Sequence, residues 1–366
     1  MERAKKFINK YFTVASKVLL CLFLIAILIQ IIASFSADFA DRVSEGIGYT
    51  LRLGLAKLFG FLPFSLAELL IILLPFFLTV IIAITVKLSS DKERYFRFLI
   101  TVISVLTLFY TLYVFTLGVG YKTKSVQDKM ELPDAEVNAE NLHYAFLKLK
   151  EGCERELENI KFSENGSSVS PLDIYSLSEE LCLSYDTLAE EYEGLGIKNF
   201  TSSVKPVILS RGMTAIEITG IYSYFTGEAN VNVHFPDYTI PFTAAHELAH
   251  QRGIARENEA NFIAFMVCIR SSDSYIRYSG YLNMLEYVAS ALSKADKELC
   301  ASAVKLLDPR IKKEISEYTK FYKENKNELL GKISGFLNDN YLKAQGTEGI
   351  VSYSMVTRLC VAYYSN

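Results

Sequence analysis

The sequence predicts a helical membrane anchor with three spans, residues 1–120, followed by an α-rich α+β domain, residues 121–366. Two observations predict this division. Three long apolar segments lie in the first third of the chain, and 51% of the 366 residues are hydrophobic. The rest of the chain combines helical periodicity with two short strand-like segments. This second part is long enough for one compact domain.

The apolar segments cover residues 14–35, 61–86 and 98–119, with approximate ends. Each is at least as long as the roughly 20 residues that a helix needs to cross a bilayer core of about 30 Å. The first segment also resembles a cleaved signal peptide. Its apolar core is longer than is typical for such peptides, and no Ala-x-Ala site follows it. We therefore expect three retained spans in contact with the lipid bilayer.

Basic residues predict the orientation of these spans, because positively charged segments stay on the cytoplasmic side. An amino terminus in the cytoplasm and three spans place the domain from residue 121 outside the cytoplasm. The net charge of −3 gives no indication of a nucleic-acid partner. The basic residues are Arg3, Lys5, Lys6 and Lys10 before the first span, and Lys87, Lys92, Arg94 and Arg97 between the second and third.

An acid inside the second apolar segment, Glu68, is costly in lipid and is often functional there. We favour the alternative that Glu68 lies at the membrane surface or makes a polar contact between helices.

Local patterns predict the elements of the second domain. Ser176 and Glu179 match a capping box that begins a helix ending near Glu193. Residues 204–210 and 229–234 have the composition of short strands. The chain after these strands is mainly helical.

His246, Glu247 and His250 form an HExxH pattern, in a chain that has only four histidines. Residues four apart lie on one face of a helix, so the two imidazoles can bind the same metal ion. Glu247 lies beside them, where it can reach a water molecule on that ion. Zinc suits the pattern because it accepts nitrogen and oxygen ligands in tetrahedral geometry. We expect Pro241 and Thr243 near the start of this helix, with Thr243 as its N-cap, and Gly253 just after its end.

A third ligand is required, and two glutamates follow closely. Gly253 lets the chain reverse, which brings the next helical segment back toward the histidines. Glu257 and Glu259 lie two apart on that segment and point in different directions, so we expect only one of them to bind.

The pattern His-Glu-Leu-Ala-His, followed by Glu257-x-x-Ala-Asn261, resembles the glutamate zincins. In those enzymes an Exx(A/S)D motif supplies the third ligand from its glutamate, and its aspartate steadies a zinc histidine. The resemblance implies a zincin-like domain with Glu257 as the ligand, Glu259 as the alternative and Asn261 in the place of the aspartate. Six residues separate His250 from Glu257, fewer than those families usually have.

The layout of the chain also resembles an uncharacterised family of bacterial membrane proteins with three amino-terminal spans and an external domain. This resemblance implies a multi-pass protein of a bacterial cell membrane and supplies no substrate. The segments that carry it are Leu-Pro-Phe-Ser at 62–65, Phe-Thr-Gly-Glu-Ala-Asn at 225–230, His-Glu-Leu-Ala-His-Gln-Arg-Gly at 246–253, Glu-Asn-Glu-Ala-Asn-Phe at 257–262, and Ser352-Tyr353.

Further candidates precede the HExxH helix. Residues 226–234 alternate polar and apolar side chains, so they form either an edge strand that pairs with an extended substrate or an internal strand. Glu228 and His234 are candidates for contact with substrate or for support of the metal site, and a structural role is the alternative for both. Candidate donors to a developing oxyanion are Tyr222, Tyr224 and Tyr238.

Together these patterns predict a membrane-anchored, zinc-dependent peptidase. Glu247 would act as the general base on a zinc-activated water. The substrate would be a peptide or protein of the cell envelope. The alternative is a membrane sensor or envelope assembly factor that keeps zinc as a structural ion. A transporter is disfavoured, because the spans hold one interior acid and no inverted repeat.

Overall fold

The computed structural model describes residues 2–349 and 355–365, so Ser352 and Tyr353 lie outside the described residues. The chain is mostly helical, at 72%, and contains one small sheet. Its α-helices are α1 Glu2–Tyr11, α2 Val14–Ala33, α3 Ala37–Val43, α4 Tyr49–Gly60, α5 Leu66–Ile72, α6 Leu74–Leu88, α7 Lys92–Thr116, α8 Val126–Lys129, α9 Ala139–Glu156, α10 Ile174–Glu191, α11 Ser210–Ala215, α12 Thr239–Gln251, α13 Glu257–Cys268, α14 Ser274–Ala295, α15 Lys297–Lys305, α16 Pro309–Asn325, α17 Glu328–Ala344 and α18 Val356–Tyr364.

Two helices near the amino terminus, α2 with 20 residues and α7 with 25, are long and apolar enough to cross a membrane. The second predicted span is not one straight helix. It consists of α5 and α6, which meet at Leu73 with a bend of 52°. Pro75 explains the break, because proline has no N–H to donate and its ring clashes with the preceding turn. The second predicted span, residues 61–86, is therefore bent, and the described residues contain two candidate spans, or three if the bent pair is one.

The two basic segments of the amino-terminal region lie at the same end of the helices. Arg97 Nε donates to the backbone oxygen of Lys10 at 2.7 Å, and Lys10 Nζ lies 3.2 Å from Glu93. The helix α1 therefore packs beside the amino end of α7.

The segment between α2 and the bent pair folds against the carboxyl-terminal domain. It contains α3, a π-helical turn at Ser44–Gly48, and α4. Arg52 of α4 is 2% exposed and donates to the backbone oxygens of Ser44 and Arg252. Lys129 pairs with Asp41 at 2.8 Å. A boundary at residue 120 therefore does not separate two independently packed units, and experiments require the whole chain.

Two buried glutamates join the bent pair to the sheet. The carboxylate of Glu228 accepts from the backbone N–H groups of residues 66 and 67, at the amino end of α5. Glu68 in turn accepts from the N–H groups of residues 208 and 209 at 3.0 and 2.7 Å. Lys205 Nζ lies 3.8 Å from Glu228. Glu68 is thus held by polar contacts at the end of the span, in agreement with the interpretation favoured from the sequence.

The sheet has three short strands, β1 Lys205–Pro206, β2 Gly220–Ser223 and β3 Glu228–Val231, in the order β1-β3-β2. The strand β3 pairs in parallel with β1 and antiparallel with β2. All four residues of β3 are buried. Of the two interpretations of residues 226–234, the internal strand is therefore confirmed. The edges of the sheet are β1 and β2, and the sequence analysis did not predict β2.

The capping box predicted at Ser176 is also wrong. The helix α10 begins earlier, at Ile174, because the carboxylate of Asp173 accepts from the backbone N–H groups of residues 175 and 176. Asp173 satisfies the free N–H groups of the first turn and so fixes the start of the helix. Its end at Glu191 agrees with the prediction.

The helices α12, α13, α14 and α9 form the centre of the domain, with α10 and α18 packed around them. The apolar side of α13 is inaccessible to solvent, with Phe262 and Phe265 both 0% exposed. Both rings pack on Tyr363 of α18, and Phe265 also packs on Tyr281 of α14. Burial of such large side chains stabilises α13 in the core by roughly 1.5–3 kcal/mol each.

Candidate metal centre

A tight turn places α13 against the end of α12. Gly253 has φ +102°, a conformation that glycine adopts without a steric penalty. The N–H of Ile254 donates to Ala249 O at 3.0 Å, and the N–H of Gly253 donates to His250 O at 3.0 Å. These two bonds form a Schellman motif and satisfy carbonyls at the helix end. The predicted role of Gly253 is therefore confirmed.

The start of α12 differs from the prediction. The helix begins at Thr239 after Tyr238, whose side chain makes no capping bond, so Thr243 is not the N-cap. Pro241 lies in the first turn, where its missing N–H costs nothing because the first N–H groups of a helix have no intrahelical partner. One more turn of helix therefore precedes the histidines.

Three ligand atoms meet where α12 faces the start of α13. Glu257 Oε2 lies 3.2 Å from His246 Nε2 and 3.6 Å from His250 Nε2. All three ligand atoms lie within 4.8 Å of one another, and the described residues provide this one group. Zinc bonds of about 2.1 Å in tetrahedral geometry separate ligand atoms by about 3.4 Å. The spacing of the three atoms thus fits a zinc ion.

The second nitrogen of each imidazole has a different environment. His250 Nδ1 donates to Ile254 O at 2.7 Å, which leaves the Nε2 lone pair free for a metal. His246 Nδ1 is buried and has no hydrogen-bond partner among the described residues, and the same holds for Asn261 Nδ2. Asn261 lies one turn after Glu257 on α13, so the two side chains share a face of that helix.

The structure brings Glu257, and not Glu259, to the histidines. The carboxylate of Glu259 accepts from Arg256 at 2.9 and 3.1 Å and from the N–H of Val126 at 3.0 Å. The two glutamates point apart, as their spacing on the helix requires. Glu259 therefore holds α13 against α8.

The buried charges of the site are coupled. Burial favours the neutral form of Glu257, but the neighbouring imidazoles of His250 and His246 hold the pKa of that carboxyl well below its usual range. Burial also disfavours the imidazolium of His250, yet Glu257 and Glu247 raise its pKa to about 9. Burial raises the pKa of Glu247, and the two histidines oppose that effect. The site thus lowers the pKa of Glu257 and raises that of Glu247.

The edge strand β2 fixes the position of Glu247. A β-carbon at Gly220 would lie 2.6 Å from Glu247 Oε1 and 2.8 Å from both Glu247 Cγ and Thr243 Cγ2. These separations are well below van der Waals contact. A glycine is therefore required where β2 passes Glu247, and the sequence analysis did not identify it because the clash depends on tertiary packing.

Gly220→Ala is expected to displace the Glu247 carboxylate. A shift of about 1 Å at a reacting group can cost roughly 100-fold in rate, so any hydrolysis that depends on Glu247 should fall by about that factor. Zinc content should stay unchanged, because the three ligands do not contact Gly220. The control is Gly212→Ala on α11, where a β-carbon meets nothing within 4 Å. Equal rates for both variants would contradict the assigned position of Glu247.

Other residues singled out from the sequence lie away from the metal ligands. Glu228 caps α5, as described above. His234 Nδ1 is hydrogen-bonded to Thr214 Oγ1 at 3.2 Å, and its ring packs on Phe321. The hydroxyl of Tyr238 donates to Glu286. These contacts give Glu228, His234 and Tyr238 structural roles.

The remaining candidate tyrosines face the membrane anchor. The ring of Tyr224 packs on that of Tyr113 at 5.5 Å. Tyr222 is buried, and burial raises the pKa of its hydroxyl to about 12 against the effect of Arg52. A tyrosine that the sequence analysis missed, Tyr341 of α17, packs against a cluster that includes Ala255, so it lies near the start of α13. No local signal pointed to Tyr341, because it is far from the motif in sequence.

Residues 44–361 match the family described as Protein of unknown function (DUF3810). The chain belongs to this family. The DUF3810 match includes the bent pair, α7 and the three candidate ligands, and it confirms the expectation of an uncharacterised family. The search of curated proteins returned no match, and the search of solved structures returned none.

Proposed function

We propose that the chain is a zinc-dependent peptidase anchored in a membrane. One observation carries the proposal: three ligand atoms lie within 4.8 Å of one another beside a buried acid, Glu247, which is 4% exposed. Structural zinc sites normally have four protein ligands, whereas catalytic sites have three and keep a position for water. The three-ligand group favours a peptidase over a sensor with a structural zinc.

In this proposal His246, His250 and Glu257 hold the ion. When bound, zinc polarises a substrate carbonyl and lowers the pKa of a water molecule. His250 is oriented by the carbonyl of Ile254. Asn261 orients His246 after rotation of its amide, since the oxygen and nitrogen of an amide are interchangeable in assignment and Oδ1 can accept from Nδ1–H. This pairing gives an acceptor to His246 Nδ1, which has no other partner among the described residues.

Glu247 acts as the general base and acid. It takes a proton from the attacking water and delivers it to the amine that leaves. Its carboxylate is held between α12 and the backbone of Gly220, which limits its motion.

The edge of β2 that faces away from β3 binds the peptide substrate in an extended conformation. Thr219 O accepts from the N–H of Asn232, and the alternation of an antiparallel pair then turns the backbone groups of Gly220 and Tyr222 away from β3. The Glu247 carboxylate accepts from the N–H of Tyr222, so the peptide pairs with the other outward backbone groups of this edge. A peptide that adds to this edge passes next to Glu247. The scissile bond is thereby positioned by main-chain hydrogen bonds that do not depend on sequence.

In this proposal the protein lies in a bacterial cell membrane, with its amino terminus in the cytoplasm and its metal centre on the other side. Supporting this orientation, α1 and the amino end of α7 carry the basic residues and lie together. The bent pair must then cross the membrane as one span. The substrate is a peptide or protein of the cell envelope.

The test uses the full chain in detergent and a mixture of peptides whose products are identified by mass spectrometry. We expect cleavage that disappears on chelation and returns with one equivalent of zinc. Magnesium at the same concentration is the control, because it prefers oxygen ligands in octahedral geometry. Full cleavage after complete removal of zinc would contradict the proposal.

A further inference from the structure

Helix α17, Glu328–Ala344, has an uncovered apolar face. Of its residues, all described, Leu342 alone is buried. Large apolar side chains recur along one side at helical spacing, with polar residues on the other, which is the pattern of an amphipathic helix. The exposed fractions of the apolar side chains are 69% for Leu329, 43% for Leu330, 49% for Ile333, 67% for Phe336 and 63% for Leu337.

Both ends of α17 lie beside the ends of candidate spans. Just before its amino end, the N–H of Asn327 donates to the backbone oxygen of Ala215 at 3.0 Å. Ala215 ends α11, and the residues just before α11 are held by Glu68 of α5. Near the other end, the ring of Tyr341 packs on that of Tyr113 in α7, at 6.4 Å. The helix thus runs from the amino end of the bent pair to the carboxyl end of α7.

These two span ends belong to the same membrane surface, because α6 and α7 form a hairpin. Other exposed apolar residues lie at the amino end of the bent pair, where Ile208 and Leu209 are 77% and 52% exposed and their N–H groups donate to Glu68. Aromatic side chains gather at this level, as at membrane–water interfaces. The lipid surface is therefore the partner that fits the exposed face of α17.

We propose that α17 lies in the membrane surface at the carboxyl end of α7, so that the metal centre acts on polypeptide segments that emerge from that membrane. The position of α17 in the membrane surface is independent of any activity. The substrate class, membrane-tethered polypeptides, rests on the proposed peptidase function.

The direction of β2 supports membrane-tethered polypeptides as the substrate class. Its first residue, Gly220, lies against Glu247. Just after its last residue, the backbone oxygen of Tyr224 accepts from Thr116 at the end of α7, at 3.0 Å. The ring of Phe225 packs at 5.5 Å on Phe109. Phe109 precedes Thr116 in α7 and lies about 10 Å deeper in the span, at 1.5 Å per residue. A peptide paired with β2 therefore runs from the metal ligands to the membrane surface.

The turn that carries the ligands also contacts the end of α7. Arg256 donates to the backbone oxygens of Tyr121 and Thr123, within seven residues of the end of that helix. A substrate reaches the ligands within a few residues of leaving the bilayer.

Fluorescence tests the position of α17, because the chain contains no tryptophan. The full chain carrying Phe336→Trp is placed in nanodiscs of phosphatidylcholine and phosphatidylglycerol, with or without brominated acyl chains. We expect loss of emission with the brominated lipids. The matched control is Tyr175→Trp, 59% exposed on α10 near the amino end of α12, which should keep its emission. The positive control is Phe77→Trp in α6, which should lose emission because residue 77 faces the lipid. Quenching of Phe77→Trp without quenching of Phe336→Trp would overturn the proposal.

The substrate class is tested with one peptide cut by the full chain, offered free in solution and attached to a lipid anchor in the same nanodiscs. At micromolar concentration, tethering should raise the rate by about 10- to 100-fold through effective concentration. Glu247→Gln with each form gives the background rate. Equal rates for both forms overturn the substrate class. If zinc-loaded protein cuts neither form, the proposed function fails and the substrate class fails with it, while the position of α17 is still decided by quenching.

Discussion

Glu247→Gln is expected to abolish hydrolysis while the chain keeps one zinc ion. Glutamine has nearly the same shape, so the packing against Gly220 is preserved, but it cannot accept a proton from water. Loss of a positioned general base lowers rates by about 10²- to 10⁴-fold. The measurement is the turnover of a cleaved peptide by the full chain, with zinc content determined on the same sample.

The control for this variant is Glu286→Gln. Glu286 is a half-buried acid whose pKa is raised by burial to about 7, and it accepts from the hydroxyl of Tyr238. The Glu286→Gln variant should have a turnover close to that of the unchanged chain. Retention of full turnover by Glu247→Gln would remove Glu247 from the mechanism. Zinc binding without hydrolysis in the unchanged chain would instead favour the sensor alternative.

Glu257→Gln is expected to weaken zinc binding strongly, whereas Glu259→Gln should leave it intact. Glu257 Oε2 is the atom that faces both imidazoles, and a neutral amide is a poorer ligand than a carboxylate. Loss of a residue that only hydrogen-bonds to a metal ligand already weakens metal binding by about 10- to 100-fold. Loss of a direct ligand should therefore lower the zinc affinity by at least about 100-fold. The affinity is measured by competition with a chelator of known zinc affinity.

Glu259→Gln tests the same helix turn with the opposite outcome for zinc. It removes the charge that accepts from Arg256 and from the N–H of Val126. Breaking a buried ion pair by removing one partner destabilises a protein by about 3–5 kcal/mol. We therefore expect a lower melting temperature with unchanged zinc affinity. The reverse result, zinc loss in Glu259→Gln alone, would exchange the roles of the two glutamates.

The grouping of the three candidate ligands could be predicted from the sequence because their geometry is local. His246 and His250 are one helical turn apart, and Gly253 supplies the backbone conformation that returns the chain to Glu257. Sequence alone left Glu257 and Glu259 open, since either can follow such a turn. The choice depends on Arg256, which holds Glu259 on the other side of α13.

The features that sequence did not predict depend on contacts between distant segments. The strand β2 has four residues and no clear alternation, and its position at the edge follows from pairing with β3 alone. The requirement for glycine at 220 arises from packing on Glu247, which is remote in sequence. The segment 204–210 forms only two residues of strand, because its continuation bends to meet Glu68.

The bend between α5 and α6 had a local cause in Pro75 that hydropathy alone does not detect. A window average reports how apolar a segment is, and the residues around Pro75 are all strongly apolar. The amphipathic face of α17 similarly reads as an ordinary core-facing stripe in sequence. Its exposure becomes evident only once the helix is seen beside the ends of the spans.

Zinc content of the purified, metal-replete full chain, determined by mass spectrometry beside the His246→Ala, His250→Ala double variant, addresses the central claim. We expect one zinc ion per chain in the unchanged protein and none in the double variant, with both proteins folded. A folded, unchanged chain that binds no zinc would contradict the metal centre, and the two histidines and Glu257 would then be a buried ion-pair network within a membrane scaffold.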